Sequence, residues 1–359
     1  MGWSALDKRF MRRAIRLASR GEGNVSPNPL VGAVVVKGGR VIGEGWHEKF
    51  GGPHAEANAL RGIDAQGATI YVTLEPCCPS VPGKKTPACT PLIIRSGIAR
   101  VAIGTRDLHP HVSGIEQLRS SGIRVEEGLL RTEARRLNEP SIVFHKSGRA
   151  FCIAKMAQSA DGFIGIRGKR RVWLSGRKFD RLSQRMRNRY DAILVGINTV
   201  LVDNPRLTCR MKNGRNPARI ILDDCLRIPI DAKALSNAKE EKVIIATSEQ
   251  AGMEKARLLR KMGAEVLVMG KRQAGLKRLL YHLPKLGIIS VLIEGGAQVI
   301  SSALEEGVVD KAVVAVSAKK IEGKGAIASP FSAAILKKFA KRRMGADTVY
   351  EGYLTSYSK

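Results

Sequence analysis

The chain has 359 residues, 61 Lys and Arg against 32 Asp and Glu, a formal net charge of +29 and 44% hydrophobic residues. This apolar share excludes an intrinsically disordered chain and is enough for about two folded domains. The excess charge is not a basic tail, since residues 1–150 carry +9 and residues 151–359 carry +20. Such a balance favours anionic partners, among them phosphates, nucleotides and nucleic acids, without selecting one of them.

The six cysteines are too few and too unevenly placed for the disulfide framework of a small secreted domain. We therefore expect reduced thiols or metal ligands, in a cytoplasmic protein. No stretch of the sequence reaches the roughly 18 consecutive apolar residues of a membrane span, so no membrane association is predicted.

The first predicted element is an amphipathic helix that ends at Gly21. Its apolar face consists of residues at spacings of three and four, namely Leu6, Phe10, Ala14, Leu17 and Ala18. An apolar run over residues 30–36 and a second segment over residues 40–46 then flank the turn sequence Lys37-Gly38-Gly39. This arrangement predicts a β-hairpin.

Helices and strands alternate along the rest of the chain. A helix is predicted to begin near Pro53, and the following strands are predicted over residues 68–74, 101–104 and 123–125, with a helix over residues 91–96. The pattern restarts after residue 149, with strands over residues 151–156, 192–195, 218–222, 243–247, 266–269, 289–293 and 311–316 and helices over residues 178–190, 254–262 and 276–283. The sequence therefore predicts two α/β domains, residues 1–149 and 150–359.

One imidazole and two thiols in the first half form a candidate zinc site. His54-Ala55-Glu56 is followed by Glu75-Pro76-Cys77 at a strand end and then by Cys89. Catalytic zinc sites use three protein ligands and keep a fourth position for water. Glu56 stands two residues after His54, where it is placed to shuttle a proton. This is the chemistry of hydrolytic deamination. Cys78, next to a proposed ligand, ranks third among the local thiols.

At these residues the sequence resembles the bifunctional deaminase-reductase family of riboflavin biosynthesis. The matching motifs of the first half are Pro27-Asn28-Pro29, Pro53-His54-Ala55-Glu56, Tyr71-Val72-Thr73-Leu74-Glu75-Pro76-Cys77 and Thr86-Pro87-Ala88-Cys89. The resemblance implies a cytidine-deaminase-like three-layer domain that binds one zinc ion per chain through His54, Cys77 and Cys89. It also implies that Glu56 is the proton donor and that Asn28 lies beside the substrate pyrimidine.

The first half departs from the family pattern at two loops. The loop between the zinc cysteines is about three residues longer than usual and lacks a histidine, although Lys84 and Lys85 can supply charge there. The family's Asp-Pro-Asn-Pro sequence reads Asp107-Leu108-His109-Pro110, and the Gly-x-Gly that normally follows is missing near Gly114. These departures affect how the phosphoribosyl group of the substrate is bound.

The second half lacks the Gly-x-Gly-x-x-Gly fingerprint of dinucleotide-binding Rossmann domains. Gly295-Gly296, after a predicted strand and before a helix, offers backbone N–H groups suited to a phosphate, although such a pair can also be a simple tight turn.

Further motifs of the second half resemble the reductase half of the same family, whose fold is similar to dihydrofolate reductase. They are Lys155-Met156-Ala157-Gln158-Ser159-Ala160-Asp161-Gly162, Trp173-Leu174-Ser175-Gly176, Asp191-Ala192-Ile193-Leu194-Val195-Gly196, Thr199-Val200-Leu201-Val202-Asp203-Asn204-Pro205-Arg206-Leu207-Thr208 and Glu294-Gly295-Gly296. The resemblance implies NADPH bound by Trp173, Thr199, Asp203, Gly295 and Gly296. It implies substrate bound by Arg187, Leu207, Arg210 and Glu294. Arg171 is a departure, since the family often has a serine there.

Three hypotheses follow. The first is a bifunctional enzyme that deaminates a phosphoribosyl pyrimidine and then reduces its ribosyl side chain with NADPH. The second is a zinc deaminase acting on nucleic acid, with a basic binding domain. The low aromatic content of 5% and the reductase motifs argue against it, so no nucleic-acid partner is expected. The third is that only one of the two domains is active. We also expect a homo-oligomer.

Overall fold

The protein is described by a computed structural model that covers residues 2–79, 86–167, 172–322 and 324–354. Within these ranges the chain divides into two compact units, Met1–Ser147 and Gly148–Lys359. Both are α/β structures, as the alternating sequence pattern predicts.

Unit 1 contains a five-stranded sheet of order β2-β1-β3-β4-β5. Its strands are β1 Gly32–Lys37, β2 Arg40–Trp46, β3 Thr69–Leu74, β4 Arg100–Thr105 and β5 Arg124–Glu127. Its helices are α1 Ala5–Ala18, α2 Ala55–Ala59, α3 Cys89–Arg95, α4 Gly114–Ser120, α5 Arg131–Leu137 and α6 Glu139–Ser147. Strands β3, β4 and β5 are parallel, so their carboxyl ends meet at one edge of the sheet.

The alternation of strand β1 explains the three layers of unit 1. Ala33 and Val35 pack with residues of α2, α3 and α4 in one core cluster. Val34 and Val36 point to the opposite face, where they pack with Phe10, Met11 and Ala14 of α1. Because successive side chains of a strand alternate between faces, both surfaces of the sheet are covered by helices.

Unit 2 contains a nine-stranded sheet of order β11-β10-β9-β8-β12-β6-β13-β16-β15 and a small pair, β14-β7. Its strands are β6 Phe151–Gln158, β7 Phe163–Ile166, β8 Ala192–Gly196, β9 Ala218–Leu222, β10 Val243–Ser248, β11 Glu265–Gly270, β12 Ser290–Gly295, β13 Lys311–Val316, β14 Ala326–Ala328, β15 Ala340–Met344 and β16 Asp347–Tyr353. Its helices are α7 Arg177–Arg189, α8 Ile197–Asp203, α9 Met253–Lys261, α10 Leu276–His282, α11 Ala297–Glu305 and α12 Ala333–Leu336.

The parallel strands at the centre of this sheet are buried on both faces. Ile220 and Ile244 pack with α10 and α11, whereas Ile221 and Ile245 pack with α8 and α9. Strand β12 lies between β8 and β6 and is parallel to both. The carboxyl ends of these three strands therefore form one edge, which in open α/β sheets is where ligands bind.

The structure corrects several details of the sequence prediction. Leu6 is 55% exposed, so it does not belong to the buried face of α1. The helix predicted to begin near Pro53 begins at Ala55, because His54 has an extended backbone and caps it. Helix α1 ends at Ala18 and is followed by a 3-10 turn that reaches Gly21. The carboxyl-terminal antiparallel strands β15 and β16 were not predicted.

None of the helices within the described ranges combines the length and the apolar content needed to cross a bilayer.

Candidate active sites

His54, Cys77 and Cys89 come together in unit 1. The Nδ1 atom of His54 lies 3.3 Å from Cys77 Sγ and 3.4 Å from Cys89 Sγ. All three ligand atoms lie within 4.8 Å of one another. A tetrahedral zinc ion places its nitrogen and sulfur ligands about 3.5 Å apart, so the donor atoms fit zinc in type and in spacing.

Backbone hydrogen bonds set the separation of the two cysteines. Cys77 follows β3 and Cys89 opens α3. The carbonyl oxygen of Cys77 accepts the amides of Cys89, at 3.1 Å, and Thr90, at 3.2 Å. The start of α3 is thereby fixed against the end of the β3 segment. This anchoring explains how two cysteines separated by an unusually long loop still meet.

The imidazole of His54 is also held from its far side. Its Nε2 atom lies 3.2 Å from the hydroxyl oxygen of Thr86, so Nδ1 is the nitrogen that faces the thiols. A hydrogen bond to the second ring nitrogen fixes the tautomer and orientation of a metal-binding histidine. Thr86 had no assigned role in the sequence analysis, because the contact joins residues 32 positions apart.

Glu56 is 3% exposed and lies in the first turn of α2. Its Oε2 atom has no hydrogen-bond partner within the described part of the chain. Burial and the neighbouring Cys77 raise the pKa of Glu56 to about 6. A carboxyl group with such a pKa exchanges a proton near neutral pH, as the predicted proton shuttle requires.

Asn28 is oriented by a histidine that the sequence analysis did not single out. Its Nδ2 atom lies 3.2 Å from Nε2 of His47, and Nδ1 of His47 lies 3.0 Å from the carbonyl oxygen of Pro53. That carbonyl requires a proton on Nδ1, so Nε2 accepts from the Asn28 amide. Burial lowers the pKa of His47, which favours this neutral form. The Oδ1 atom of Asn28 is thereby turned away from His47.

Cys78 is buried but is not part of the metal-ligand set. Its thiol donates to the carbonyl oxygen of His111 at 3.3 Å, and its sulfur accepts the amide of Ser113 at 3.3 Å. The interpretation of Cys77 and Cys89 as the better ligand candidates therefore agrees with the geometry.

In unit 2, three charged side chains meet near the carboxyl end of β12: Lys155 from β6, Arg187 from α7 and Glu294 from β12. The guanidinium of Arg187 pairs with both carboxylate oxygens of Glu294, at 2.9 and 2.6 Å, and donates to the carbonyl oxygen of Thr208 at 2.9 Å. Lys155 Nζ lies 3.7 Å from Glu294 Oε2. Burial works to lower the pKa of Arg187, but Glu294 outweighs it and the pKa is raised. Lys155 had no assigned role in the sequence analysis.

Gly295 and Gly296 lie against Thr199. A Cβ atom on Gly295 would stand 3.1 Å from Thr199 Oγ1, and one on Gly296 would stand 3.7 Å from the same atom. Gly296 has a φ of +79° and precedes α11, so a side chain is disfavoured there on backbone grounds as well. The bare backbone before this helix fits a phosphate, since N–H groups at a helix start attract anions.

The other residues predicted for unit 2 lie around this edge in different environments. Trp173 is 57% exposed, Asp203 ends α8, and Arg210 is exposed with its amide bound to Gln184 Oε1 at 2.8 Å. Leu207 has a φ of +57° and a side chain buried in the core beside Val195 and Ile197. Roles for these four residues stay predictions. Lys84, Lys85 and Arg171 lie outside the described residues.

Both halves of the chain match known protein families. Residues 4–105 match the family described as the cytidine and deoxycytidylate deaminase zinc-binding region. Residues 150–344 match the RibD C-terminal domain. The second match covers the part of the chain where the nucleic-acid hypothesis required a basic binding domain.

Full-length relatives show the same combination. The chain is 42% identical to the riboflavin biosynthesis protein RibD of Actinobacillus pleuropneumoniae, over 89% of this chain and 86% of the relative. It is 41% identical to RibD of Aquifex aeolicus, with 89% of each chain covered. The crystal structure of a Thermotoga maritima diaminohydroxyphosphoribosylaminopyrimidine deaminase/5-amino-6-(5-phosphoribosylamino)uracil reductase is similar, with 39% identity, a TM-score of 0.82 and coverage of 96% of this chain and 98% of that chain.

Proposed function

The chain belongs to the RibD family of bifunctional riboflavin biosynthesis enzymes, and we propose that each of its two units performs one of the two reactions. Unit 1 releases ammonia from 2,5-diamino-6-(5-phosphoribosylamino)pyrimidin-4-one. Unit 2 reduces the resulting 5-amino-6-(5-phosphoribosylamino)uracil to its ribitylamino form. The observation that carries the proposal is the zinc-type donor set of His54, Cys77 and Cys89 beside the buried carboxyl group of Glu56, whose Oε2 has no hydrogen-bond partner among the described residues.

In the deamination, His54, Cys77 and Cys89 would hold a zinc ion, which would supply an acidified water molecule as the nucleophile. Glu56 accepts a proton of this water at Oε2 while the water oxygen bonds to the carbon that bears the amine, and it returns that proton to the amine. The C–N bond then breaks, ammonia leaves, and the hydroxyl proton moves to the ring nitrogen so that a carbonyl group remains. Asn28 orients the pyrimidine. Its Nδ2 group is bonded to His47, so its Oδ1 atom is left to accept a hydrogen bond from the pyrimidine. Burial of the carboxyl group keeps this proton transfer away from bulk water.

In the reduction, bound NADPH would supply a hydride to C1′ of the open-chain ribosyl imine, whose nitrogen would take a proton from solvent. Gly295, Gly296 and Thr199 bind a cofactor phosphate at the start of α11, with Trp173 and Asp203 as further cofactor contacts. Arg187 and Glu294 bind the substrate and hold each other in place through their paired hydrogen bonds. Leu207 and Arg210 complete the substrate site, Leu207 through its backbone because its side chain is buried.

Two properties of the whole protein also belong to this proposal. A cytoplasmic location is supported by the six cysteines, all within the described ranges, which are not joined in disulfides there, as expected in a reducing compartment. The second property is assembly into a homo-oligomer. Light scattering after size-exclusion chromatography tests it, and we expect a mass that is a multiple of the single-chain mass.

The experiment that tests the proposal supplies the phosphoribosyl pyrimidine to the purified protein and follows ammonia and NADPH separately. We expect ammonia release without NADPH, followed by NADPH oxidation once deaminated product is present. Absence of ammonia release from zinc-loaded protein contradicts the first assignment. Absence of NADPH oxidation on chemically prepared deaminated substrate contradicts the second.

A further inference from the structure

A loop beside the proposed reductase site depends on other elements for its conformation. Residues 204–217, all of which the structure describes, join α8 to β9 without forming a helix or strand. The loop contains Leu207 and Arg210 and places a carbonyl oxygen against Arg187. Three of its non-glycine residues have a positive φ, namely Asn204, Leu207 and Asn213. Because such a backbone costs energy outside glycine, contacts from elsewhere must hold the loop in place.

One face of α7 holds this loop at three points. Gln184 Oε1 accepts the backbone amide of Arg210 at 2.8 Å. Asn188 Oδ1 accepts the backbone amide of Arg215 at 2.9 Å. Arg187, between them in sequence, donates to a carbonyl oxygen of the loop at 2.9 Å. Helix positions three and four residues apart lie on the same face, so these three side chains act on the loop from one direction.

Further contacts attach the loop on two sides. The Cys209 thiol donates to the backbone carbonyl oxygen of Gln184 at 3.6 Å, and the Cys209 amide donates to Asn216 Oδ1 at 2.9 Å. Asn216 Nδ2 in turn donates to Glu241 Oε1 at 2.6 Å, just before β10. The loop is therefore anchored to α7 at Gln184 and to the start of β10 through Asn216.

The two arginines whose amides α7 binds have different surroundings. The guanidinium of Arg215 donates to the carbonyl oxygen of Tyr190 at 2.8 Å, so its side chain is itself part of the anchoring. The side chain of Arg210 is exposed. Its backbone bond to Gln184 therefore sets where this flexible cation starts, one helical turn along α7 from Arg187.

We propose that Gln184 and Asn188 are positioning residues for the reduction, which hold the 204–217 loop in its substrate-binding conformation before the substrate arrives. The inference rests on the proposed function, because Arg210 and Leu207 are substrate contacts only if unit 2 is the reductase. A loop that is ordered in advance loses less conformational entropy when the ligand binds. The effect is expected in the binding of the pyrimidine, since the proposed phosphate site of NADPH lies on another element, at the start of α11.

Steady-state kinetics of NADPH oxidation on 5-amino-6-(5-phosphoribosylamino)uracil test the proposal. Gln184→Met keeps the length of the side chain but loses the acceptor, and Asn188→Leu does the same at its position. In each variant we expect the KM for the pyrimidine to rise about fivefold, as for one lost hydrogen bond, while kcat and the KM for NADPH are unchanged. An unchanged KM for the pyrimidine, or an equal rise in both KM values, overturns the proposal.

Conservative variants separate positioning from a loss of structure. Gln184→Glu and Asn188→Asp keep an acceptor oxygen, so we expect their KM for the pyrimidine to lie closer to the wild-type value; if it does not, the proposal fails. Arg185→Met is the matched control, because it introduces the same side chain at the next, exposed position of α7, and it leaves both KM values unchanged. NADPH binding verifies that each variant is folded, and Gln184→Ala and Asn188→Ala replace any apolar variant that is not.

Hydrogen exchange measures the loop directly, in protein without substrate or NADPH. We expect the amide of Arg210 to exchange at least about fivefold faster in Gln184→Met, because its acceptor is gone, and at the wild-type rate in Arg185→Met. The amide of Arg215 responds to Asn188→Leu in the same way. Wild-type exchange rates of both amides in these variants overturn the proposal.

Failure of the proposed function is distinguishable from failure of this inference. If the wild-type protein oxidises no NADPH on the deaminated substrate, the reductase assignment fails. Calorimetric titration with the deaminated substrate then decides the inference together with hydrogen exchange. Weaker binding and faster exchange in Gln184→Met support it, and unchanged binding or exchange overturns it. Wild-type protein that does not bind the substrate at all overturns both.

Discussion

Cys77 and Cys78 are neighbours in sequence but have different surroundings. Cys77 Sγ faces the imidazole of His54, whereas Cys78 Sγ contacts the backbone of His111 and Ser113. We expect Cys77→Ser to lose its zinc and Cys78→Ser to retain about one ion per chain, since three protein ligands are needed to hold a catalytic zinc. Metal analysis of the purified variants measures this difference. Equal zinc content in both variants would show that Cys77 is not a ligand.

His47 is a positioning residue for Asn28, through a single hydrogen bond between their side chains. In His47→Phe the ring volume is kept but the acceptor is lost, so the Asn28 amide is free to turn. We expect kcat/KM for deamination to fall about tenfold, which corresponds to one buried hydrogen bond. Steady-state ammonia assays and metal analysis check the result together. An unchanged kcat/KM with full zinc content is incompatible with this role.

The sequence was sufficient for the residues whose chemistry is local and insufficient for those that depend on distant contacts. His54, Glu56, Cys77 and Cys89 are recognisable because imidazole, carboxylate and thiol groups recur at deaminase spacings. His47 and Thr86 are not, because their roles come from contacts with residues 19 and 32 positions away. Lys155 stands in a buried strand whose register beside β12 is needed to place it near Glu294.

At the scale of elements, α1 is joined to the sheet of unit 1 by a charged network. Asp7 accepts hydrogen bonds from Ser4, from Tyr71 at 2.7 Å and from Arg100 at 2.8 Å. We expect Asp7→Asn to lower the free energy of unfolding by about 2 kcal/mol, as for the loss of hydrogen bonds to a charged group. Asp64→Asn, in an exposed pair with Lys37, is the control and has a much smaller effect. Urea titrations measure the free energy of unfolding of both variants. Equal losses in the two variants would show that the network stabilises the protein no more than an exposed ion pair does.

The same network makes the stability of unit 1 depend on pH in the acid range. Burial alone works to raise the pKa of Asp7, but hydrogen bonds from Arg100, Ser4 and Tyr71 hold it well below its usual value. Its stabilisation is therefore complete above the unfolded pKa of about 3.9 and is lost as the pH falls below it. The difference in unfolding free energy between the wild type and Asp7→Asn should shrink below pH 4, and a constant difference would contradict this origin.

A further prediction concerns the Gly295-Gly296 turn before α11. In Gly295→Ala the new methyl group would stand 3.1 Å from Thr199 Oγ1, so either the Thr199 side chain or the turn must give way by a few tenths of an ångström, which disturbs the phosphate-binding arrangement. We expect the KM for NADPH to rise about tenfold, as for a lost phosphate hydrogen bond, while ammonia release is unchanged. Gly252 likewise lies just before a helix, as the N-cap residue of α9, but has open space around it, so Gly252→Ala is the matched control. An unaltered KM for NADPH in Gly295→Ala would exclude the turn from the cofactor site.

Elements with a buried apolar pattern could be predicted, and those without one could not. Strands β9 and β13 occupy the predicted residues, because most of their side chains are apolar and buried, as in other central strands. Strand β15 consists of Ala340–Met344 and is largely exposed, with Lys341, Arg342 and Arg343 at its centre. Charged side chains protect the edge of a sheet from further pairing, and the same charges conceal the strand in the sequence.

At the scale of the whole molecule, the net charge of +29 exceeds what the two reactions need. The substrate and NADPH together bring a few phosphates, which a few basic side chains can bind. Because unit 2 matches a reductase domain, the remaining excess is better assigned to solvated surface than to nucleic-acid binding. Anionic small molecules account for the sign of the charge, and the motifs, not the charge, specify the chemistry.

The central claim is that two separate sites perform the two reactions, and Glu56→Gln tests it most directly. The measurement follows ammonia release from the phosphoribosyl pyrimidine and NADPH oxidation on the deaminated substrate in the same preparation. We expect ammonia release to fall by at least about a hundredfold, the usual contribution of a general acid–base, with NADPH oxidation at the wild-type rate. Retained deamination, or loss of both activities in a folded, zinc-loaded variant, would contradict the account.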